Sequence, residues 1–372
     1  MPASQEGSAR MRLAKQPVQG EPIEVLVVGV GHLGKAHARV FSELEGVRLA
    51  GIVDCDASRA KEVASALGVP HHTELTPEVL GPVHAASVVT PTPSHFAVAS
   101  RLLEADVSVL VEKPMCSDLA EAQELLRRSR EKDVVLQVGH IERFNPVLVA
   151  ALPYIRSPVF LECERVHPFS FRSAETSVVL DLMIHDIDNA LHIVGSPVAE
   201  LDAFGTPVLS ETEDLAYARL TFENGCTAVV KASRVAVGKS RKMRLFSRDS
   251  YLSLDFLEQT GRRMSLREGF TLGKVDFRKM AAMEEEQGAA PLFTQFLDIE
   301  PLKITPEEPL KAELQAFVTA VRESTEPLVT GAHGVQALDV ATRIQTLIQR
   351  HNARFWGAGT GATDVRPGPT AR

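Results

Sequence analysis

The sequence predicts an α/β protein: a doubly wound, parallel Rossmann sheet followed by a second α/β domain built on a large, mostly antiparallel open sheet. Three observations predict it. In the first third, apolar runs alternate with amphipathic helical patterns, the arrangement of a parallel sheet covered on both faces. The stretch VLVVGVGHLGKAHARVF at 25–41 places Gly29, Gly31 and Gly34 at G-x-G-x-x-G spacing between such a run and a helix. After about residue 150 the texture changes to a succession of strands, and Asn224–Gly225 between two of them is a hairpin signal.

Taken in order, residues 1–21 show no periodicity and are expected to form a flexible leader. Strands are predicted at 24–29, 48–53, 85–90, 107–112 and 134–138, and helices at 33–44, 58–67, 95–104 and 118–132. The last helix carries Leu119, Ala122, Leu125 and Leu126 on one stripe, with Ser117 as its expected N-cap. His71-His72 reads as loop. A dinucleotide-binding domain is therefore expected over 22–145, and a substrate and oligomerisation domain over 146–356. The second opens with a longer helix over about 176–194, then strands at 199–206, 215–223, 226–235, 242–248 and 251–257. Residues 277–309 read as a loop or excursion. Helices near 309–323 and 332–350 close the fold, with 309–350 placed back on the first domain, and 357–372 is expected as a disordered tail.

The 372 residues, 44% hydrophobic and 24% charged, have the composition of a soluble globular chain. No apolar stretch approaches the ~20 residues needed to span a bilayer. The N-terminus has no apolar signal core, and Cys55, Cys116, Cys163 and Cys226 form no C-x-x-C pair. A cytoplasmic location with reduced thiols is the expectation. A net charge of −8 argues against nucleic acid as the main partner, although a few local arginines can still bind a small anion.

The glycine loop supplies the first chemistry. Its glycines allow a tight turn, close approach of backbone to a pyrophosphate, and close helix–strand packing. The helix beginning at His32 and Leu33 offers free N–H groups and a positive dipole end to the phosphates. Asp54 ends the next apolar run, twenty positions after Gly34. Its carboxylate can accept both ribose hydroxyls and would repel a 2′-phosphate, which favours NAD over NADP. Thr90, Pro91 and His95 follow the third strand and should edge the same crevice.

Glu112-Lys113-Pro114 stands at the carboxyl end of a strand, where ligands bind in an open parallel sheet. Lys113 can stabilise a developing alkoxide there, or accept a proton; the alternative is a surface lysine before a proline turn. Asp181 and His185 are four apart, so on a helix they share a face, and a carboxylate beside imidazole suits proton transfer from a hydroxyl. The alternatives are a helical metal site with Asp188 and His192, for which no convincing further ligands exist, and a solvated helix face. Gln137, His140, Arg143 and Asn145 lie where the first domain passes into the second. Arg143 can meet an anionic substrate group or form a surface ion pair.

With EKP and D-x-x-x-H added to the glycine loop, residues 22–350 resemble the Gfo/Idh/MocA oxidoreductases. The resemblance implies NAD as cofactor, Glu112 and Lys113 beside it, Lys113 binding or activating the reacting hydroxyl, and His185 as acid/base with Asp181. It also implies a homodimer or homotetramer joined through the C-terminal sheet. The wording GHIERFNP, LDLMIHDIDNAL and ETEDLAYARLTFENGC is similar to the bacterial UDP-N-acetylglucosamine 3-dehydrogenase subgroup, which implies oxidation of a sugar 3-hydroxyl to a ketone for transamination in lipid A synthesis. Arg143, Arg165 and Arg172 are then the basic candidates for a diphosphate. Ser177-Val178-Val179 departs from the Gly-Gly lead of many relatives. Other readings are a different sugar or polyol (an inositol, a UDP-hexosaminuronate), a glycosidase using NAD transiently, or a non-catalytic dinucleotide-binding regulator.

Overall fold

In a computed structural model the chain divides into two compact units. One runs to Phe144 and regains Glu307–Gln336; the other is Asn145–Pro306 together with the chain from Ala337 on. The structure describes residues 20–171, 175–248, 250–267, 277–287 and 297–356. Most of the expected leader and the whole expected tail lie outside them.

The first unit holds β1 (Ile23–Val28), α1 (His32–Glu43), β2 (Val47–Val53), α2 (Ala57–Leu67), β3 (His71–His72), α3 (Pro77–Leu80), β4 (Ala85–Val88), α4 (His95–Glu104), β5 (Ser108–Glu112), α5 (Leu119–Lys132) and β6 (Leu136–Gly139). Its six strands run parallel in the order β3-β2-β1-β4-β5-β6, so the order reverses between β1 and β4. β1 is buried at every position because helices cover both faces of the sheet. Val25, Val27, Val40, Phe41 and Ile52 pack with Leu314, Phe317 and Val318 of a late helix.

The second unit holds α6 (Pro146–Ala151), β7 (Phe160–Val166), α7 (Ile184–Val194), β8 (Val198–Thr206), β9 (Leu215–Phe222), β10 (Thr227–Ser233), β11 (Ser240–Phe246), β12 (Ser250–Asp255), β13 (Thr260–Leu266), α8 (Phe277–Gln287) and β14 (Leu297–Pro301). The chain then enters α9 (Pro309–Glu323) and α10 (Gly331–Trp356). The eight strands lie in the order β14-β13-β12-β11-β7-β10-β9-β8, all antiparallel except β7 with β10. Side chains alternate, and the inward set (Leu161, Leu220, Val230, Met243, Leu252) packs on Met183, Ile187, Ala341 and Ile344. The expected Asn224–Gly225 turn joins β9 to β10, with Gly225 at φ 86°.

Several expectations are corrected. Asp118, not Ser117, caps α5: its carboxylate accepts the Glu121 N–H at 2.9 Å, the N3 position that a cap serves. His71-His72 is a short edge strand paired with Ile52 and Val53, not loop. The helix expected from 176 begins instead with a wide π-turn, Val179–Met183, before α7. Residues 277–309 contain α8 and β14, and β7 and β13 were not foreseen. β13 (TGRRMSL) has no period-two apolar signal and is held by its ladders to β12 and β14. Helix α9 belongs to the first unit, whereas α10 passes at Ala337 into the second, where Val340, Ala341, Ile344 and Ile348 join its core.

Candidate active site

In the first unit the loops leaving β1, β2 and β4 surround a cavity of about 600 Å³, lined by Gly29, Gly31, Asp54, Thr90 and Pro91 among others. It lies where the strand order reverses, the place an open parallel sheet offers a ligand. The glycines are explained by space. Gly29 has φ +87°, and a Cβ there would stand 2.8 Å from the Thr90 backbone nitrogen; a Cβ on Gly34 would stand 1.9 Å from the Gly29 carbonyl oxygen. Gly31 faces open space, a cradle that any longer side chain would fill. His32 and Leu33 begin α1 beside it and are exposed.

Asp54 reaches this cavity while bracing the loop. Its Oδ2 accepts the Val30 N–H at 2.9 Å and its Oδ1 accepts the Asp56 N–H at 2.9 Å. Arg59 was not foreseen: it lines the cavity, approaches Asp54 at 3.4 Å and pairs with Asp56 at 3.0 Å. The signal available was D-x-D-x-x-R, in which Asp56 caps α2 and so turns Arg59 back toward Asp54. These residues fit a dinucleotide: an open glycine cradle, a helix N-terminus and a carboxylate for the ribose.

Two expected cofactor contacts are corrected. His95 is buried, its Nδ1 3.0 Å from the Pro114 carbonyl and its Nε2 2.8 Å from the Thr90 carbonyl, so it ties two loops together instead of facing the cavity. Glu112 is buried too, with Oε1 3.2 Å from His37 Nε2 and Oε2 accepting the Lys113 N–H at 3.2 Å. Burial alone would push its carboxyl up. The hydrogen bond and charge of His37, with the charge of Lys113, outweigh that and hold it below its ordinary value. Lys113 follows, half-buried, at the carboxyl end of β5.

His140 and Arg143 are buried at the end of the first unit, which removes the surface ion pair weighed for Arg143. Gln137 donates to the Glu313 carbonyl at 3.3 Å.

In the second unit Asp181 lies in the π-turn and His185 in the first turn of α7, both half-exposed, while Asp186, Asp188 and Asn189 behind them are buried. A π-turn carries one extra residue per turn and re-aims the side chains on it. Arg165 is corrected as a diphosphate candidate: it is buried in a two-pronged pair with Asp186, both bonds 2.9 Å, which braces α7 from β7. Asn145 caps α6 and donates to the Phe256 carbonyl at 3.1 Å. Arg172 lies outside the described residues.

A second buried pair was missed. Arg234 binds Asp214, Ser210 Oγ and the Thr176 carbonyl just upstream of the π-turn, at 2.5, 2.7 and 2.5 Å. Asp214 also accepts three backbone N–H groups from Val208, Leu209 and Ser210. Burial pushes the Asp214 carboxyl up, but these donors and the guanidinium carry it well below the usual carboxylate range. Among the described residues no group of three His, Cys, Asp or Glu is arranged to hold a metal ion, and no helix is long and apolar enough to cross a membrane.

Residues 23–140 match the family described as "Oxidoreductase family, NAD-binding Rossmann fold", and 164–251 match the "GFO/IDH/MocA C-terminal domain". The chain is 34% identical to UDP-N-acetylglucosamine 3-dehydrogenase of Acidithiobacillus ferrooxidans over 328 residues, 87% of this chain and 96% of that one. A solved structure of that enzyme superposes with a TM-score of 0.78, covering 88% of this chain and 98% of the other. Myo-inositol 2-dehydrogenase of Thermotoga maritima is 25% identical over 84% of this chain and 92% of its own length. A complex of levoglucosan dehydrogenase with NADH shares the fold at a TM-score of 0.75 and 16% identity, covering 89% of this chain and 98% of the other. The chain belongs to the Gfo/Idh/MocA family of NAD-dependent oxidoreductases.

Proposed function

We propose that this chain oxidises the 3-hydroxyl of UDP-N-acetylglucosamine to a ketone, with NAD as hydride acceptor. The observation that carries the reading is 34% identity sustained over 96% of an enzyme with that name. The chain's own residues supply the chemistry. His185 takes the hydroxyl proton, and Asp181 orients the imidazole and stabilises its charged form. Lys113 stabilises the alkoxide as the proton leaves. Gly31 and the start of α1 receive the pyrophosphate, and Asp54 the adenosine ribose. NAD, when bound, supplies the hydride acceptor.

The 3-keto product is suited to transamination, the reaction that precedes amide-linked lipid A, in the cytoplasm. The reading includes a homodimer or homotetramer joined through the eight-stranded sheet. Its uncovered face carries the stacked pair Phe204–Tyr217, ring centroids 5.0 Å apart, and the ion pairs Lys231–Glu164 and Arg244–Glu162 at 2.9 Å. Sedimentation of wild type and Phe204→Glu tests this: the wild type should be oligomeric and the variant shifted toward monomer.

The test of activity is NADH formation from NAD and UDP-N-acetylglucosamine, with glutamate and a partner aminotransferase drawing off the ketone. NADH together with a 3-amino sugar nucleotide is expected. No turnover, with NAD binding intact and the aminotransferase active, would move the substrate to a polyol such as inositol.

A further inference from the structure

Behind the Lys113 segment lies a buried polar group that the proposed chemistry does not use. His37, on the inward face of α1, has no exposed surface. Its Nδ1 lies 2.8 Å from Ser87 Oγ on β4, and its Nε2 lies 3.2 Å from Glu112 Oε1 at the end of β5. The other carboxylate oxygen of Glu112 accepts the peptide N–H of Lys113. On β6, Gly139 leaves the room this carboxylate needs, since a Cβ there would stand 2.8 Å from the carboxyl carbon. One helix and three neighbouring strands therefore converge on Glu112.

The arrangement is costly if it serves packing alone. Its neighbours on α1 are Ala38, Val40 and Phe41, and an apolar residue at 37 would suit that surface. A buried carboxylate and imidazole are retained at such a place only when their hydrogen bonds are met, and met bonds fix geometry. In one tautomer Nδ1 accepts the Ser87 hydroxyl proton and Nε2–H is turned toward Glu112 Oε1 at 3.2 Å, an approach that falls short of an aligned hydrogen bond. The titratable groups that face Glu112 are His37 from α1 and Lys113 beside it; β4 and β6 present Ser87 and Gly139, neither of which titrates.

We propose that His37 is a positioning residue for Lys113: held by Ser87, it fixes the Glu112 carboxylate against the Lys113 peptide and so fixes where the ammonium points. The inference rests on the proposed role of Lys113 at the reacting hydroxyl. It also explains why a glutamate precedes the lysine although its carboxylate does not face the cavity.

The test uses the full-length protein with NAD bound. His37→Leu removes both ring bonds at similar volume, His37→Gln keeps a donor for Glu112, and Glu112→Gln removes the charge. Turnover of UDP-N-acetylglucosamine should fall about 10- to 100-fold in His37→Leu and Glu112→Gln, with the NAD dissociation constant within about threefold of wild type. His37→Gln should recover most of the rate. The double variant should be no worse than either single, because both act through one chain. A second readout needs no substrate: the ¹³C resonance of reductively methylated Lys113, assigned by its loss in Lys113→Arg. It should shift in both crippled variants, where the Glu112 carboxylate is either replaced or no longer braced by His37, and match wild type in His37→Gln. An unchanged Lys113 resonance, or wild-type turnover in His37→Leu, would overturn the proposal. So would additive losses that track NAD binding, the mark of a merely structural histidine. Should His37→Leu not fold, Glu112→Gln and His37→Gln decide on the same resonance. Should the sugar nucleotide prove no substrate, that resonance still answers for His37.

Discussion

The two sheets of this chain bury their side chains in opposite ways. The parallel sheet is lined by apolar residues almost throughout, and its polar groups gather where strands end: Asp54 after β2, Thr90 after β4, Glu112 and Lys113 at the end of β5. The antiparallel sheet covers one face only, yet it draws two arginines inward, Arg165 to Asp186 and Arg234 to Asp214. The difference follows from what each sheet must hold. Short βα turns in the first unit are fixed by glycine space and helix starts. In the second unit the Arg234–Asp214 pair ties Thr176, just before the π-turn, to Ser210 in the 207–214 loop. The candidate proton acceptor thus depends on buried charge, and the candidate alkoxide stabiliser on the end of an apolar strand.

The comparison can be broken at several points. Lys113→Ala and His185→Ala should each lower turnover by about 10²- to 10⁴-fold with NAD binding little changed, as calorimetry and initial rates would check. If one of them has no effect, that unit does not supply chemistry. Arg234→Met should cost about 3–5 kcal/mol in urea unfolding, because it strands a buried carboxylate, while Arg234→Met with Asp214→Leu should cost much less. A single loss equal to the double would show that the pair is mere packing.

The same pair gives a pH test. Asp214 is depressed in the folded chain, so its stabilisation is present above the unfolded value near ~3.9 and is lost as pH falls through the folded value. The stability gap between wild type and Asp214→Asn should be flat from about pH 8 to 5 and narrow below about pH 4. The smallest effect sharpens the local reading of the first unit: Asp118→Ala should cost about 1 kcal/mol and Ser117→Ala almost nothing, since Asp118 makes the cap.

The contrast between the sheets also explains what could be read from the sequence. Fully buried parallel strands are apolar runs, so β1, β2, β4 and β5 stand out, and the glycine loop and EKP mark their ends. β7 hid because its inward positions are Leu161, Cys163 and Arg165; an arginine where the pattern needs an apolar residue looks like a solvent face until Asp186 is known to meet it. His95 and Glu112 were placed at the right loops but facing the wrong way, because motif spacing gives position along the chain and not side-chain direction. His37 carried no signal at all. Its partners Ser87 and Glu112 are 50 and 75 residues away, and only the sheet order brings them together.

Under the proposed function, hydride leaves the sugar C3 of UDP-N-acetylglucosamine for NAD. The most direct measurement supplies substrate deuterated at C3 and follows the label by mass spectrometry. Deuterium is expected in the reduced nicotinamide, with a slower rate when transfer limits turnover. Reduced cofactor without deuterium would place the oxidation at another carbon and rule out transfer from C3.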